Sequence, residues 1–133
     1  MPRIFIVDET PSILELYDDI LSEEGYRVQL ALDPILDLDQ VAQFAPDLII
    51  LEYLFGHEAQ GLVLVQRLWM AAATAHIPII VCTAAVNLVK EVQPELDRHG
   101  IRVLAKPFAI DDLLAVVRHA LATGPPVPTT TPQ

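Results

Sequence analysis

The chain has 133 residues and a mass of 14.7 kDa, which suits one domain large enough to bury a hydrophobic core. With 18 acidic residues against 8 Lys and Arg residues, its net charge of −10 disfavours direct binding to nucleic acid or to an anionic membrane and favours cations and basic partners. Hydrophobic residues make up 53% of the chain, yet no apolar run reaches the roughly 18 residues of a membrane span, and the first run is too short for a signal peptide, so we expect a cytoplasmic protein.

Strand-like and helix-like segments alternate along the chain. Short apolar segments between turn signals predict strands over residues 3–7, 26–31, 47–52, 77–82 and 102–105. Apolar residues at helical spacing predict helices over residues 11–24, 34–44, 61–73, 86–98 and 110–122. Pro94 is expected to kink the fourth helix or to divide it into two short pieces.

This alternation predicts an α/β fold with a parallel sheet and helices on both of its faces. The expected architecture is flavodoxin-like and doubly wound, a (βα)5 unit with strand order 2-1-3-4-5. We assign residues 1–122 to this domain. Four of the 11 prolines fall within residues 124–133, so residues 123–133 are predicted to be a flexible Pro/Thr-rich tail or linker.

Chemically able side chains follow four of the predicted strands. Asp8 and Glu9 follow the first strand, Glu52 ends the third, Thr83 follows the fourth and Lys106 follows the fifth. Because ligands bind outside the carboxyl ends of such strands, we expect these residues to meet at one edge of the sheet. Three carboxylates suit Mg²⁺, and a hydroxyl with an ammonium could hold a phosphoryl group. Singly, each residue could be an ordinary polar strand end or helix-terminal charge.

From about residue 2 to residue 122 the chain resembles the receiver domain of two-component response regulators. The resemblance is carried by Ile-Phe-Ile-Val-Asp-Glu-Thr-Pro-Ser-Ile-Leu, Pro-Asp-Leu-Ile-Ile-Leu-Glu, Ile-Pro-Ile-Ile-Val-Cys-Thr-Ala and Leu-Ala-Lys-Pro-Phe. It implies that Asp8 and Glu9 bind Mg²⁺, that Thr83 and Lys106 contact a phosphoryl group, and that the bond before Pro107 is cis. It also implies a protein partner, which would be a histidine kinase, an output protein or a second copy in a homodimer.

Three features depart from the family pattern. Glu52 stands where the family has its phosphoaccepting aspartate, and Val103 stands at the aromatic switch position. The loop 53–61 looks one residue longer than usual and has Gly56 where proline is common. The extra methylene of Glu52 crowds Mg²⁺, and a misplacement of about 1 Å can slow phosphoryl transfer about 10²-fold.

These departures favour a pseudo-receiver. We expect a protein-interaction module that is not an enzyme, is not phosphorylated at residue 52, and binds Mg²⁺ through Asp8, Glu9 and Glu52 weakly or not at all. Lys106 is expected to pair with Glu52 in the resting state, because the longer carboxylate can reach the ammonium.

Other classes stay open at this point. An ordinary receiver, phosphorylated on Glu52 by a histidine kinase, would gain mass with a small phosphodonor and Mg²⁺. A Mg²⁺-dependent phosphatase of similar topology would want an acid/base two residues after Asp8, where the chain has Thr10. A flavin protein would need a phosphate-cradling loop where Asp8 and Glu9 would repel phosphate.

Two further expectations concern the core and the surface. Cys82 lies in an apolar run and is expected to be a buried small hydrophobe, whereas the four histidines are interpreted as surface residues. The third helix has more apolar residues than one buried face can use, so some should reach the surface. We therefore expect self-association or partner binding that involves this helix and is insensitive to phosphodonors.

Overall fold

A five-stranded parallel sheet organises the computed structural model, which describes residues 1–123. The strand order β2-β1-β3-β4-β5 confirms the predicted fold class. The strands are β1 (Arg3–Val7), β2 (Arg27–Ala31), β3 (Leu48–Leu51), β4 (Ile79–Thr83) and β5 (Arg102–Ala105). The helices are α1 (Pro11–Glu23), α2 (Leu38–Phe44), α3 (Gln60–Met70), α4 (Val86–Val89), α5 (Gln93–Arg98) and α6 (Ile110–Thr123). Of the predicted tail 123–133, residues 124–133 lie outside the described residues.

The sheet is buried on both faces. Successive side chains of a strand point to opposite faces, so each central strand supplies two cores. Alternate residues of β1, β3 and β4 pack against α1 and α6 on one face. The remaining ones pack against α2, α3, α4 and α5 on the other face. Residues 4–7, 48–51 and 79–83 are all buried, which is why these strands read as continuous apolar runs rather than alternating ones.

The second helix is shorter than predicted, because α2 begins at Leu38 and not near residue 34. The Asp33 carboxylate accepts a hydrogen bond from the amide of Ile35 at 2.8 Å. The Asp37 carboxylate accepts one from the amide of Asp39 at 2.9 Å and caps the helix. Side-chain bonds of this kind favour turns and N-caps over helix interior, so residues 32–37 form a loop.

Helix α3 and strand β4 also differ from the prediction at their ends. Helix α3 ends at Met70 rather than residue 73, because Ala71 has extended backbone (φ −96°, ψ 125°). The buried Thr74 hydroxyl then donates to the carbonyl of Leu68 at 2.9 Å and fixes the turn that follows. Strand β4 covers Ile79–Thr83, two residues later at its start than predicted.

The predicted break at Pro94 is confirmed. A single 3₁₀ turn, Lys90–Val92, separates α4 from α5, and Pro94 lies in the first turn of α5, where its missing N–H costs little. The end of α5 contacts α3 through a stacked pair, in which the rings of Trp69 and His99 are parallel within 9° and their centroids are 3.5 Å apart.

The prediction that apolar residues of α3 reach the surface is also confirmed. Leu64, Val65 and Leu68 are buried, whereas Val63 is 49% and Met70 86% exposed. Cys82 is fully buried, and burial raises the pKa of its thiol to about 11. Within residues 1–123, the structure contains no helix whose length and apolar character would let it cross a membrane.

Candidate functional site

The side chains expected to form a site are placed by hydrogen bonds that continue the sheet beyond the strand ends. The amide of Asp8 donates to the carbonyl of Ala31 at 3.0 Å, and the amide of Glu52 donates to that of Val7 at 3.0 Å. The amide of Lys106 donates to the carbonyl of Thr83 at 2.9 Å. The carboxyl ends of β1, β3 and β5 are thereby held in register, as expected for an open parallel sheet.

Lys106 lies between two carboxylates. Its ammonium donates to Asp8 Oδ2 at 2.6 Å and to Glu52 Oε1 at 2.9 Å. The side chains are 15%, 2% and 11% exposed for Lys106, Asp8 and Glu52, so the three charges are largely screened from water. The predicted pair with Glu52 is confirmed, but the closer contact with the more deeply buried Asp8 was not predicted.

The two carboxylates hold Lys106 in its charged form. Burial alone lowers the pKa of the ammonium, but its hydrogen bonds and charge interactions with Asp8 and Glu52 outweigh burial and raise the pKa above its ordinary value. The site therefore carries its own cation at neutral pH. Charge-assisted bonds of this length are about twice as strong as neutral ones.

The other oxygens of these carboxylates are occupied by backbone donors. Asp8 Oδ1 accepts from the amide of Thr10 at 2.9 Å. Glu52 Oε2 accepts from the amides of Tyr53 and Leu54 at 2.5 and 3.0 Å. The extra methylene of Glu52 therefore lets its carboxylate turn back onto the loop that it begins while still reaching Lys106.

Glu9 does not join this cluster. Its two carboxylate oxygens accept from the amide of Gly56 at 2.9 and 3.0 Å, which ties the loop after β1 to the loop after β3. Gly56 has φ +63°, a conformation that few residues other than glycine adopt readily, so its amide can face Glu9. Of the three carboxylates predicted to lie together, Asp8 and Glu52 share Lys106, whereas Glu9 links the two loops.

The side chains of Thr83 and Val103 have contacts other than the Lys106 ammonium. The Thr83 side chain is buried, and its hydroxyl oxygen accepts from the amide of Ala85 at 3.0 Å, which shapes the turn into α4. Val103 is half-buried on β5 and packs against the core beneath α4 and α5. The peptide bond between Lys106 and Pro107 is cis, as predicted.

Gly61 was missed as a positioning residue. A Cβ atom there would overlap the carbonyl oxygen of Glu52 and would lie 2.7 Å from both the Cα and the carbonyl oxygen of Tyr53. The amide of Gly61 also donates to the carbonyl of Tyr53 at 2.9 Å. Glycine therefore lets α3 start directly against the backbone that carries Glu52. A glycine at the start of an otherwise apolar helix was the available signal.

The oxygen atoms suit Mg²⁺ chemically, but their arrangement does not present them to a metal. Across residues 1–123 there is no group of three or more His, Cys, Asp or Glu side chains placed to hold a metal ion. Asp8 and Glu52 face Lys106 and backbone amides, and Glu9 faces Gly56. A divalent ion at Asp8 Oδ2 or Glu52 Oε1 would compete with the ammonium for the same oxygen.

Comparisons with known proteins agree with the fold. Residues 4–118 match the model of the response regulator receiver domain. RpaA of Synechocystis sp., a DNA-binding dual master transcriptional regulator, is 35% identical over 128 residues, which are 96% of this chain and 52% of that protein. The response regulator MprA of Mycobacterium avium is 34% identical over 124 residues, 93% of this chain and 53% of that protein. The chain thus spans about half the length of these curated relatives.

A solved structure gives the same result. The response regulator protein TrrA of Thermotoga maritima, in complex with Mg²⁺-BeF, superposes with a TM-score of 0.72 at 26% identity and covers 90% of this chain and 99% of its own. The family model covers most of the described sequence, and the strand order agrees. This chain belongs to the response regulator receiver domain family of two-component signalling.

Proposed function

We propose that this receiver domain is a protein-interaction module that is not phosphorylated at residue 52, that is, a pseudo-receiver. The observation that carries the proposal is the double contact of Lys106 with Asp8 and Glu52. One ammonium contacts both carboxylates and balances one of their two negative charges. The domain is then held in one state by its own residues.

Phosphorylation at residue 52 would need a carboxylate oxygen free to approach phosphorus in line with the leaving group. Glu52 Oε1 accepts from Lys106, and Oε2 accepts from two loop amides. Freeing either oxygen breaks a charge-assisted bond in a site that is only 11% exposed at Glu52. The free energy of breaking that bond adds to the barrier for phosphoryl transfer. This supports a domain that acts without being phosphorylated.

Asp8, Glu9 and Glu52 are the residues that would hold Mg²⁺, which prefers carboxylate oxygens and keeps several waters. Bound there, the metal would neutralise charge on phosphoryl oxygens. In the arrangement described, Lys106 already supplies positive charge to two of these residues, and Glu9 ties two loops together. We propose that Mg²⁺ binding is weak or absent in the native chain.

Intact-mass analysis with acetyl phosphate and Mg²⁺ tests the proposal. The native chain is expected to keep its mass. Glu52→Asp is the matched variant, because it restores the shorter acid and withdraws the carboxylate from Lys106; it is expected to gain one phosphoryl group. A phosphoryl group found on Glu52 of the native chain would make it an ordinary phosphoaccepting receiver and would overturn the proposal.

The partners follow from the same role. We propose that the module, assigned to residues 1–122 with 123–133 as a linker, is cytoplasmic, is not itself an enzyme and does not contact nucleic acid directly. Its partner is a histidine kinase, an output protein or a second copy. The regulators among its relatives support a signalling role, and the net charge of −10 supports a protein rather than a nucleic-acid partner.

A further inference from the structure

One flank of the molecule, which begins at the carboxyl end of β2, exposes large apolar side chains. It consists of the loop between β2 and α2 and the outer side of α3, and we call it the α2–α3 flank. Leu32 is 52%, Ile35 77%, Val63 49% and Met70 86% exposed. Exposed apolar side chains that cluster in this way are typical of interaction surfaces.

A hydrogen bond joins the loop to α3 on this flank. Val63, Arg67 and Met70 are spaced by four and three positions, so they share one side of α3, and the stripe from Val63 to Met70 is about 10 Å long. The Arg67 guanidinium donates to the carbonyl of Leu36 at 3.0 Å and fastens the loop to this side of the helix. Ile35, one residue earlier, is thereby placed beside the stripe.

The charge of the flank is negative. Asp33, Asp37 and Asp39 are exposed in or just after the loop, and every charged residue between Arg27 and Arg67 is acidic. Asp33 and Asp37 each use one carboxylate oxygen to accept a loop amide, which fixes their positions beside the apolar residues. Arg67 carries the opposite charge on the same side of α3, but the three aspartates outweigh it, so the surface offers apolar contacts and net negative charge together.

A cleft next to the flank adds a place for an anchoring side chain. It has a volume of about 310 Å³ and lies between α2 and β2. Leu36 and Asp37 of the loop line it together with Gln40 and Phe44 of α2. Its rim is thus made by the same loop that presents Ile35.

We propose that the α2–α3 flank docks a basic amphipathic helix of a partner protein. Apolar residues one heptad apart on that helix match the Val63–Met70 stripe, and its Lys or Arg residues face the three aspartates. A second copy of this chain fits worse, because it brings another net charge of −10 and the same aspartates. This inference names the partner class for the interaction role proposed above, but it needs no statement about Glu52.

The test uses the whole chain and a synthetic Leu/Lys peptide with Leu at heptad spacing, with a Leu/Glu peptide of the same pattern as the control ligand. Fluorescence anisotropy of the labelled peptide measures Kd without phosphodonor. The variants are Val63→Glu and, as the matched control, Leu88→Glu on α4, whose side chain is 48% exposed. Each variant makes the net charge one unit more negative, so the two differ in the place of the new charge and not in its amount.

The native chain is expected to bind the Leu/Lys peptide and not the Leu/Glu peptide. Val63→Glu should raise Kd at least about tenfold, while Leu88→Glu leaves it unchanged. Failure of the native chain to bind, or an equal effect of both variants, would overturn the proposal. A native dimer in sedimentation that Val63→Glu converts to monomer would assign the flank to a second copy instead. The mass analysis of Glu52 is independent of all these outcomes.

Discussion

The carboxyl edge of the sheet and the α2–α3 flank differ in whether their side chains have partners within the protein. At the edge, Lys106 and backbone amides occupy the oxygens of Asp8 and Glu52, and the charges are largely buried. On the flank, Ile35 and Met70 are mostly exposed. A receiver fold can therefore pair the side chains at its strand ends internally while an adjoining surface stays exposed.

The largest effect is expected from Gly61→Ala, which would push away the backbone that carries Glu52. The new Cβ would overlap backbone atoms of Glu52 and Tyr53, which cannot move as a flexible side chain can. We expect a loss of about 3 kcal/mol in the free energy of unfolding, after the gain of about 1 kcal/mol in helix propensity. Urea denaturation measures this free energy.

Gly56→Ala is the control, since φ +63° with open space around it predicts a loss of only about 1 kcal/mol. Equal losses in the two variants would contradict the close approach at Gly61.

Lys106→Met is expected to lower the free energy of unfolding by about 2 kcal/mol, because it leaves Asp8 buried without its partner. The loss should shrink when Glu52→Gln is already present, and should shrink further with Asp8→Asn, which removes the closer contact. A double-mutant cycle on the exposed Arg118–Glu24 pair is the comparison and should give a coupling of at most about 0.5 kcal/mol. Coupling at Lys106 no larger than this would show that the edge is not held by the pair.

The same variant is expected to open the edge to metal. Without the ammonium, Asp8 and Glu52 face one another uncompensated, so Mg²⁺ affinity measured by calorimetry should rise about tenfold, roughly 1.4 kcal/mol. Lys90→Met, on the exposed 3₁₀ turn, removes the same charge from a residue that forms no ion pair with Asp8 or Glu52 and should leave the affinity unchanged. If both variants gain equally, net charge rather than displacement of Lys106 governs metal binding.

The smallest effect is expected on the flank. Met70→Gln changes a side chain that is 86% exposed, so the free energy of unfolding should stay within about 0.5 kcal/mol of the native value. Leu68→Gln, two positions earlier and fully buried, should cost several times more. A large loss at Met70 would mean that this residue serves the fold and is not free for a partner.

Patterns that depend on neighbouring residues could be predicted from the sequence. The strand order follows from buried apolar runs that alternate with amphipathic helices, and the break at Pro94 follows from the proline ring. The Lys106–Glu52 contact was predictable as well, because strand ends meet at one edge and the longer acid extends the reach.

The sequence could not predict which of several possible hydrogen-bond partners a side chain would contact. Glu9 could have joined the metal site, but the amide of Gly56 donates to both of its carboxylate oxygens and holds it at the other loop. Asp8 takes the shorter bond to Lys106 because it is the more buried acid. The late start of α2 has the same origin, since Asp33 and Asp37 satisfy loop amides that a longer helix would have used. Such outcomes depend on three-dimensional proximity that sequence spacing does not contain.

The stack of Trp69 on His99 makes the protein its own optical reporter. Trp69 is the single tryptophan of the chain, so all indole emission comes from the junction of α3 with the end of α5. When those helices separate, the indole loses its imidazole neighbour and enters water, which shifts its emission to longer wavelength. An event confined to Lys106 and Glu52 should leave the spectrum unchanged, whereas any rearrangement that moves α3 relative to α5 should be visible without an added label.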